Sequence, residues 1–165
     1  MGNLLFSPSG RIGPSAYMKG MIILGVIGFL VALISALVPS IATVLGLVGL
    51  VMLYILIALG IKRSHDAGKS GWLSITHLLL SWGVGAVIGF VVAAITGVSV
   101  SGMFSAAMSG DVEAVEAATA ATQTMSYALI SGIGGIITYA VTAYIVNMFN
   151  KQDMGDNQYG PVPMA

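Results

Sequence analysis

The chain has 165 residues, 57% hydrophobic and 7% charged, with six basic and six acidic side chains that cancel. Soluble domains carry about a quarter charged residues, and so short a chain cannot hide this much apolar surface in a core, so lipid must solvate most of it. Zero net charge removes the bulk electrostatic case for nucleic acid, and the lack of cysteine excludes disulfides, iron–sulfur clusters and thiol catalysis.

Mean hydropathy is +0.98, and the apolar runs are continuous rather than alternating. In lipid that pattern selects helices over a barrel. Residues 1–19 begin short and polar (Ser7-Pro8-Ser9-Gly10-Arg11) and then turn mixed. They read as an interfacial lead-in. Pro14 suits a first helical turn, and Tyr17 and Lys19 belong at headgroup level.

Residues 20–38 carry no charge and make a helix of about 28 Å, enough to cross the hydrocarbon. Pro39-Ser40 interrupts, and residues 41–61 form a second span, antiparallel to the first. Ser40-Ile41-Ala42 has the small-residue spacing of a signal-peptide cleavage site. The apolar stretch before it, however, exceeds the usual signal core of about 7–15 residues, so an uncleaved span is expected.

Residues 62–72 (Lys-Arg-Ser-His-Asp-Ala-Gly-Lys-Ser-Gly-Trp) hold three of the six basic side chains between two uncharged runs. They read as a charged loop at the membrane surface. A third span follows over 73–96, with His77 near its start and Gly85, Gly89 and Ala93 four apart, a stripe that lets another helix approach closely. Gly25 with Gly28, and Gly46 with Gly49, offer similar patches.

Residues 97–125 are polar and acidic, with Asp111, Glu113 and Glu116 and no basic residue. From Asp111 the composition is helical, the acids suiting the positive end of a helix dipole. That helix is expected to run on into the fourth span, 126–149. The tail, 150–165, is irregular.

The expected fold is all-α: a polytopic membrane bundle of four transmembrane helices in one domain. With four spans, Arg11, Lys19, Lys62, Arg63, Lys69 and Lys151 fall on one side. Basic residues stay cytoplasmic, which places both termini and the 62–72 loop inside and the 97–125 segment outside.

Four constellations raise the question of chemistry. Gly68-Lys69-Ser70 imitates the end of a phosphate-binding loop, but Arg63 stands where that motif needs glycine, and no strand–loop–helix context surrounds it. His65, Asp66 and Ser70 have hydrolase residue types, yet adjacent residues point apart and a triad is a matter of geometry; a turn is the expected reading, with Asp66 bonding local backbone and Gly68 and Gly71 supplying unusual dihedrals. Lys62, Arg63 and Lys69 at headgroup level suit the phosphate of an anionic lipid. His77 is the intramembrane polar residue, a functional candidate by position. No catalytic residue, cofactor or metal set is expected. The absence of charge within the spans weighs against a coupled transporter.

Three pieces, Phe6-Ser7-Pro8-Ser9-Gly10-Arg11-Ile12, Lys62 to Trp72, and Gly155-Asp156-Asn157-Gln158-Tyr159-Gly160-Pro161-Val162-Pro163, resemble in order and spacing the bacterial inner-membrane family called domain of unknown function 805. The central His-Asp-x-Gly-Lys-Ser-Gly-Trp run is the specific part. Trp72-Leu73 stands where that family usually has two tryptophans. The resemblance implies a small multi-span inner-membrane protein and transfers no activity.

All three pieces fall on the side assigned to the cytoplasm. Arg11, His65, Asp66, Asn157 and Tyr159 are therefore expected to meet in one hydrogen-bonded cluster, because an Arg11–Asp66 pair tolerates a low-dielectric interface better than two lone ions. The functional expectation is a non-catalytic membrane subunit or scaffold. Its cytoplasmic face would bind anionic lipid headgroups, or a protein partner or second copy, and no nucleic acid. A small channel or transporter is the alternative, and a lipid-modifying enzyme at His65-Asp66 the third.

Overall fold

The computed structural model describes residues 2–163. Seven α-helices run in order: α1 (Gly2–Phe6), α2 (Pro14–Leu37), α3 (Ala42–Asp66), α4 (Ser74–Thr96), α5 (Val100–Ser109), α6 (Val112–Ala120) and α7 (Met125–Phe149). No strand occurs among the described residues, only an isolated bridge between Asn157 and Gly160. Helices α2, α3, α4 and α7 are each long and apolar enough to cross a membrane. They expose leucine, valine, isoleucine and phenylalanine along their length, an apolar area that only lipid can cover.

The four spanning helices form a ring. Helix α2 packs most extensively on α7, α7 continues onto α4, and α3 closes the ring between α2 and α4. The α2–α7 contact depends on glycine. A Cβ at Gly25 would stand 2.8 Å from the Ile136 backbone, and one at Gly132 would enter the Phe29 ring. In lipid, where burial of apolar surface does not itself drive association, such close approach supplies much of the attraction between helices.

Packing is uneven along the bundle axis. The main apolar cluster (Ile12, Tyr17, Met21, Leu24, Ile55, Leu56, Leu59, Ala143, Val146) lies at the end where the N-terminal segment and the tail meet. Away from that end, residues 42–53 of α3 contain no buried side chain. A cleft of about 640 Å³ lies between α3, α4 and α7, lined by Gly49, Leu53, Ser81, Gly85, Thr138 and Tyr139 among others.

Four sequence expectations are corrected. The stretch 62–72 is not one loop: α3 runs through Asp66, because Arg63 and Asp66 pair across one helical turn and need no exit to water. The helix of the lead-in is residues 2–6, and Pro14 opens α2 itself. The 97–125 segment folds as two helices, and the second stops at Ala120; Thr124 then caps α7 by accepting from the Tyr127 amide, so the acidic helix does not run into the fourth span. Within the 85–89–93 stripe, a Cβ at Gly85 would touch Thr138 and Ala93 is buried, but one at Gly89 would meet nothing within 4 Å. The close α4–α7 contact is made instead by Gly134 of α7 against Ile88 and Val92. The last two residues of the expected tail, 164 and 165, lie outside the described residues.

Candidate functional site

The end of α3 is built to hold charge. Its C-terminus closes with paired backbone bonds, Lys69 N to Ser64 O (2.9 Å) and Gly68 N to His65 O (3.0 Å), with Gly68 at φ +68°. This is the helix stop that requires a left-handed residue, and glycine adopts that conformation at no steric cost. The turn fixes Arg63, Ser64 and Asp66 facing inward, all fully buried.

Asp66 sits between two guanidinium groups. Arg63 Nη1 donates to Asp66 Oδ2 (2.8 Å), and Arg11 Nε donates to Asp66 Oδ1 (3.3 Å). The other nitrogens of both guanidinium groups are also engaged. Arg63 bonds Asn147 Oδ1 (2.8 Å) and the Asn150 carbonyl. Arg11 reaches the carbonyls of Asp153 (2.6 Å), Gly155 (2.8 Å) and Gly160 (3.1 Å). Arg11 thereby ties the tail to α3. Asp153 N donates to Asp66 O (2.8 Å), and Asn157 Nδ2 donates to His65 O (3.1 Å). Tyr159 stacks on the His65 ring at 3.8 Å and 5°, while His65 Nδ1 lies 3.1 Å from Gly10 O. Hydrogen bonds from the Asn157 side chain and the Gly155 amide hold the half-buried Asp153 carboxyl below the usual carboxylate range.

Arg11, His65, Asp66, Asn157 and Tyr159 thus stand together, and Arg63 belongs with them. Lys62 does not. Its ammonium is buried and directed to the N-terminal helix, bonding the Asn3 carbonyl (2.8 Å) and the Leu4 carbonyl. Nearby, Tyr54 donates to Phe6 O (2.7 Å). Neither Lys62 nor Arg63 presents its charge at the surface, because backbone carbonyls hold the Lys62 ammonium and Asp66 pairs with Arg63 inside the bundle. Lys69 is exposed but bonded: its Nζ donates to Asn150 Oδ1 (2.8 Å). Ser70 caps the short turn Gly71–Leu73 by accepting from the Trp72 amide. A Cβ at Gly71 would crowd Ile61 and His65. Trp72 is 80% exposed.

His77 is wired to this end through Asn150. Because Lys69 donates to Asn150 Oδ1, the Asn150 amide nitrogen faces His77 Nε2 at 2.8 Å, so Nε2 accepts. The ring is therefore neutral with its proton on Nδ1. That Nδ1 is one of four buried side-chain atoms without a partner among the described residues; the others are Tyr17 Oη, Ser64 Oγ and Thr142 Oγ1. Each of the four comes from a different spanning helix, and the Tyr17 and His77 ring centres are 5.9 Å apart. Sequence reasoning misses Asn147, Asn150 and Asp153, and Tyr17, expected at the membrane surface, is instead fully buried in the main apolar cluster. Two amides three apart at the close of an apolar run were the available signal.

Both arginines and both Asp66 oxygens are committed, and His65 is held by a carbonyl and a stacked ring. No three His, Asp or Glu side chains among the described residues are placed to hold a metal ion.

In comparison with known proteins, the model of a family described as "Protein of unknown function (DUF805)" matches residues 5–161. No curated protein and no solved structure matches the chain.

Proposed function

The chain belongs to the DUF805 family of proteins of unknown function, and from that premise we propose that it is a non-catalytic subunit of the bacterial inner membrane whose cytoplasmic face binds anionic lipid headgroups or a protein partner. The Arg11–Asp66–Arg63 cluster carries this reading. It leaves no guanidinium nitrogen unengaged, and it fastens the N-terminal segment, the end of α3 and the tail into one platform.

What the platform offers outward is its rim. Lys19, Lys69 and Lys151 are exposed around it, with Trp72 projecting beside them. All six basic residues belong to this end, which by the positive-inside rule faces the cytoplasm. Tryptophan at headgroup level and lysines near an anionic surface are favourable, each lysine contributing about 1 kcal/mol.

The test is lipid analysis after gentle detergent purification. Wild type should retain anionic lipid, and Lys19→Gln/Lys151→Gln should retain roughly tenfold less or lower still, in line with about 2 kcal/mol lost. Equal retention by both proteins would exclude the headgroup reading. A stoichiometric protein that co-purifies and is lost with the same double substitution would select the protein-partner form.

A channel or transporter is the second reading, favoured by the cleft between α3, α4 and α7, whose wall carries Ser81, one turn from His77. Solute flux in liposomes abolished by His77→Ala would select it. Headgroup turnover abolished by His65→Ala would instead select the lipid-modifying enzyme.

A further inference from the structure

The hairpin α5–α6 follows α4 at the bundle end opposite the Arg11–Asp66 cluster. Gly97 at φ +74° stops α4 and turns the chain, Ser99 caps α5 by accepting from the Gly102 amide, and Asp111 caps α6 by accepting from the Glu113 and Ala114 amides. Met103 points toward the bundle, lining spaces that it shares with Ala128 and Tyr127 of α7 and with Ala93 of α4.

The faces of α5 are sharply sorted. Gly102, Ser105, Ala106 and Ser109 look toward α6 across a shallow trough. On the other side Val100, Phe104 and Met108 fall at every fourth residue, one stripe of a helix. They are left uncovered, Phe104 at 69% and Met108 at 72% exposure. The charges are sorted too. Asp111, Glu113 and Glu116 all belong to α6 and the turn before it, and α5 has none.

Two observations point to what covers the stripe. First, it continues a surface that lipid already covers: Phe90, Val91 and Ile95 are exposed on the last turns of α4, and the chain passes from them through Gly97 directly to Val100. Second, the acidic groups are confined to the helix stacked on the far side, as expected for a hairpin with one side in the headgroup–acyl boundary and the other in water.

We propose that α5 lies in the membrane interface of the leaflet at this end, with Val100, Phe104 and Met108 inserted among the acyl chains and α6 carried above it in water. The hairpin is then neither a free loop nor a docking module. It anchors this end of the molecule to the bilayer through α5, with Met103 turned toward α4 and α7.

The chain has no cysteine, so single cysteines accept a nitroxide label uniquely. Labels at Phe104→Cys, Met108→Cys, Glu113→Cys and Glu116→Cys, in the full-length protein in lipid nanodiscs, are read for collision with oxygen and with a water-soluble nickel chelate. At 104 and 108 oxygen should relax the label severalfold more effectively than nickel; at 113 and 116 the order should reverse. Nickel dominance at all four sites would overturn the proposal by placing α5 in water. Protection from both reagents at 104 and 108 would overturn it by placing a protein there, with label–label broadening identifying a second copy. As a check independent of labelling, Phe104→Asp/Met108→Asp should raise amide exchange throughout α5 and α6 while leaving α7 protected; unchanged exchange in the hairpin would also contradict it.

Discussion

Asp66 accepts from two guanidinium groups in a site closed to water. Removing it leaves both charges buried and uncompensated, a loss of about 3–5 kcal/mol for a broken buried pair. Asp66→Ala is therefore expected to lower the thermal midpoint in detergent far more than Asp156→Ala, an exposed acid of the same tail. Asp153 sets a pH limit. Its carboxyl is depressed by the Asn157 and Gly155 bonds, so its contribution to tail docking is fully present above the ordinary carboxylate value of about 4 and is lost as pH falls through the lower, folded value. Limited proteolysis of the tail should be unchanged from pH 7 to pH 5 and accelerate below about pH 4. In Asn157→Ala the acceleration should begin at higher pH. At this scale the meeting of Arg11, His65, Asp66, Asn157 and Tyr159 could be read from motif order and topology. The burial of Lys62 and Arg63 could not. A charge beside an apolar run reads as a water-facing residue unless its partners are known, and theirs come from residues 3, 4, 147 and 150.

Element boundaries moved for the same reason. A hydropathy pattern ends α3 at Ile61, yet the helix continues through Asp66 because the Arg63–Asp66 pair keeps its charges inside and Gly68 supplies the stop. Helix α6 ends short of α7 because Thr124 offers a cap that an alanine-rich composition does not reveal. Small-residue spacing announced close packing but not its address. Gly25, read as part of a flat patch, meets the Ile136 backbone, whereas Gly89, Gly46 and Gly49 have nothing within 4 Å of a Cβ. Gly25→Val must move α7 or strain α2. It is expected to cost about 1–3 kcal/mol, as overpacking does, in a detergent-titration unfolding assay. Gly89→Val should be neutral there. A reversed order would remove the α2–α7 glycine contact as a principal brace of the bundle.

The whole molecule is tight at one end and open at the other. Apolar core, polar cluster, the N-terminal segment and the tail gather where the basic residues lie, while the first half of α3 buries no side chain. The four-span helical fold was plain from composition and run length, since lipid permits little else. The cleft and the full engagement of both guanidinium groups were not, because both depend on how helices from distant parts of the chain face each other. The binding-face reading needs the Arg11–Asp66 end to meet the cytoplasmic leaflet, and one exposed tail residue reports this directly. Met154 is 83% exposed, and Met154→Cys introduces the sole thiol. A membrane-impermeant maleimide should label it in inverted membrane vesicles and leave it unlabelled in intact spheroplasts. Labelling in spheroplasts and protection in inverted vesicles would place this end outside and contradict a cytoplasmic binding face.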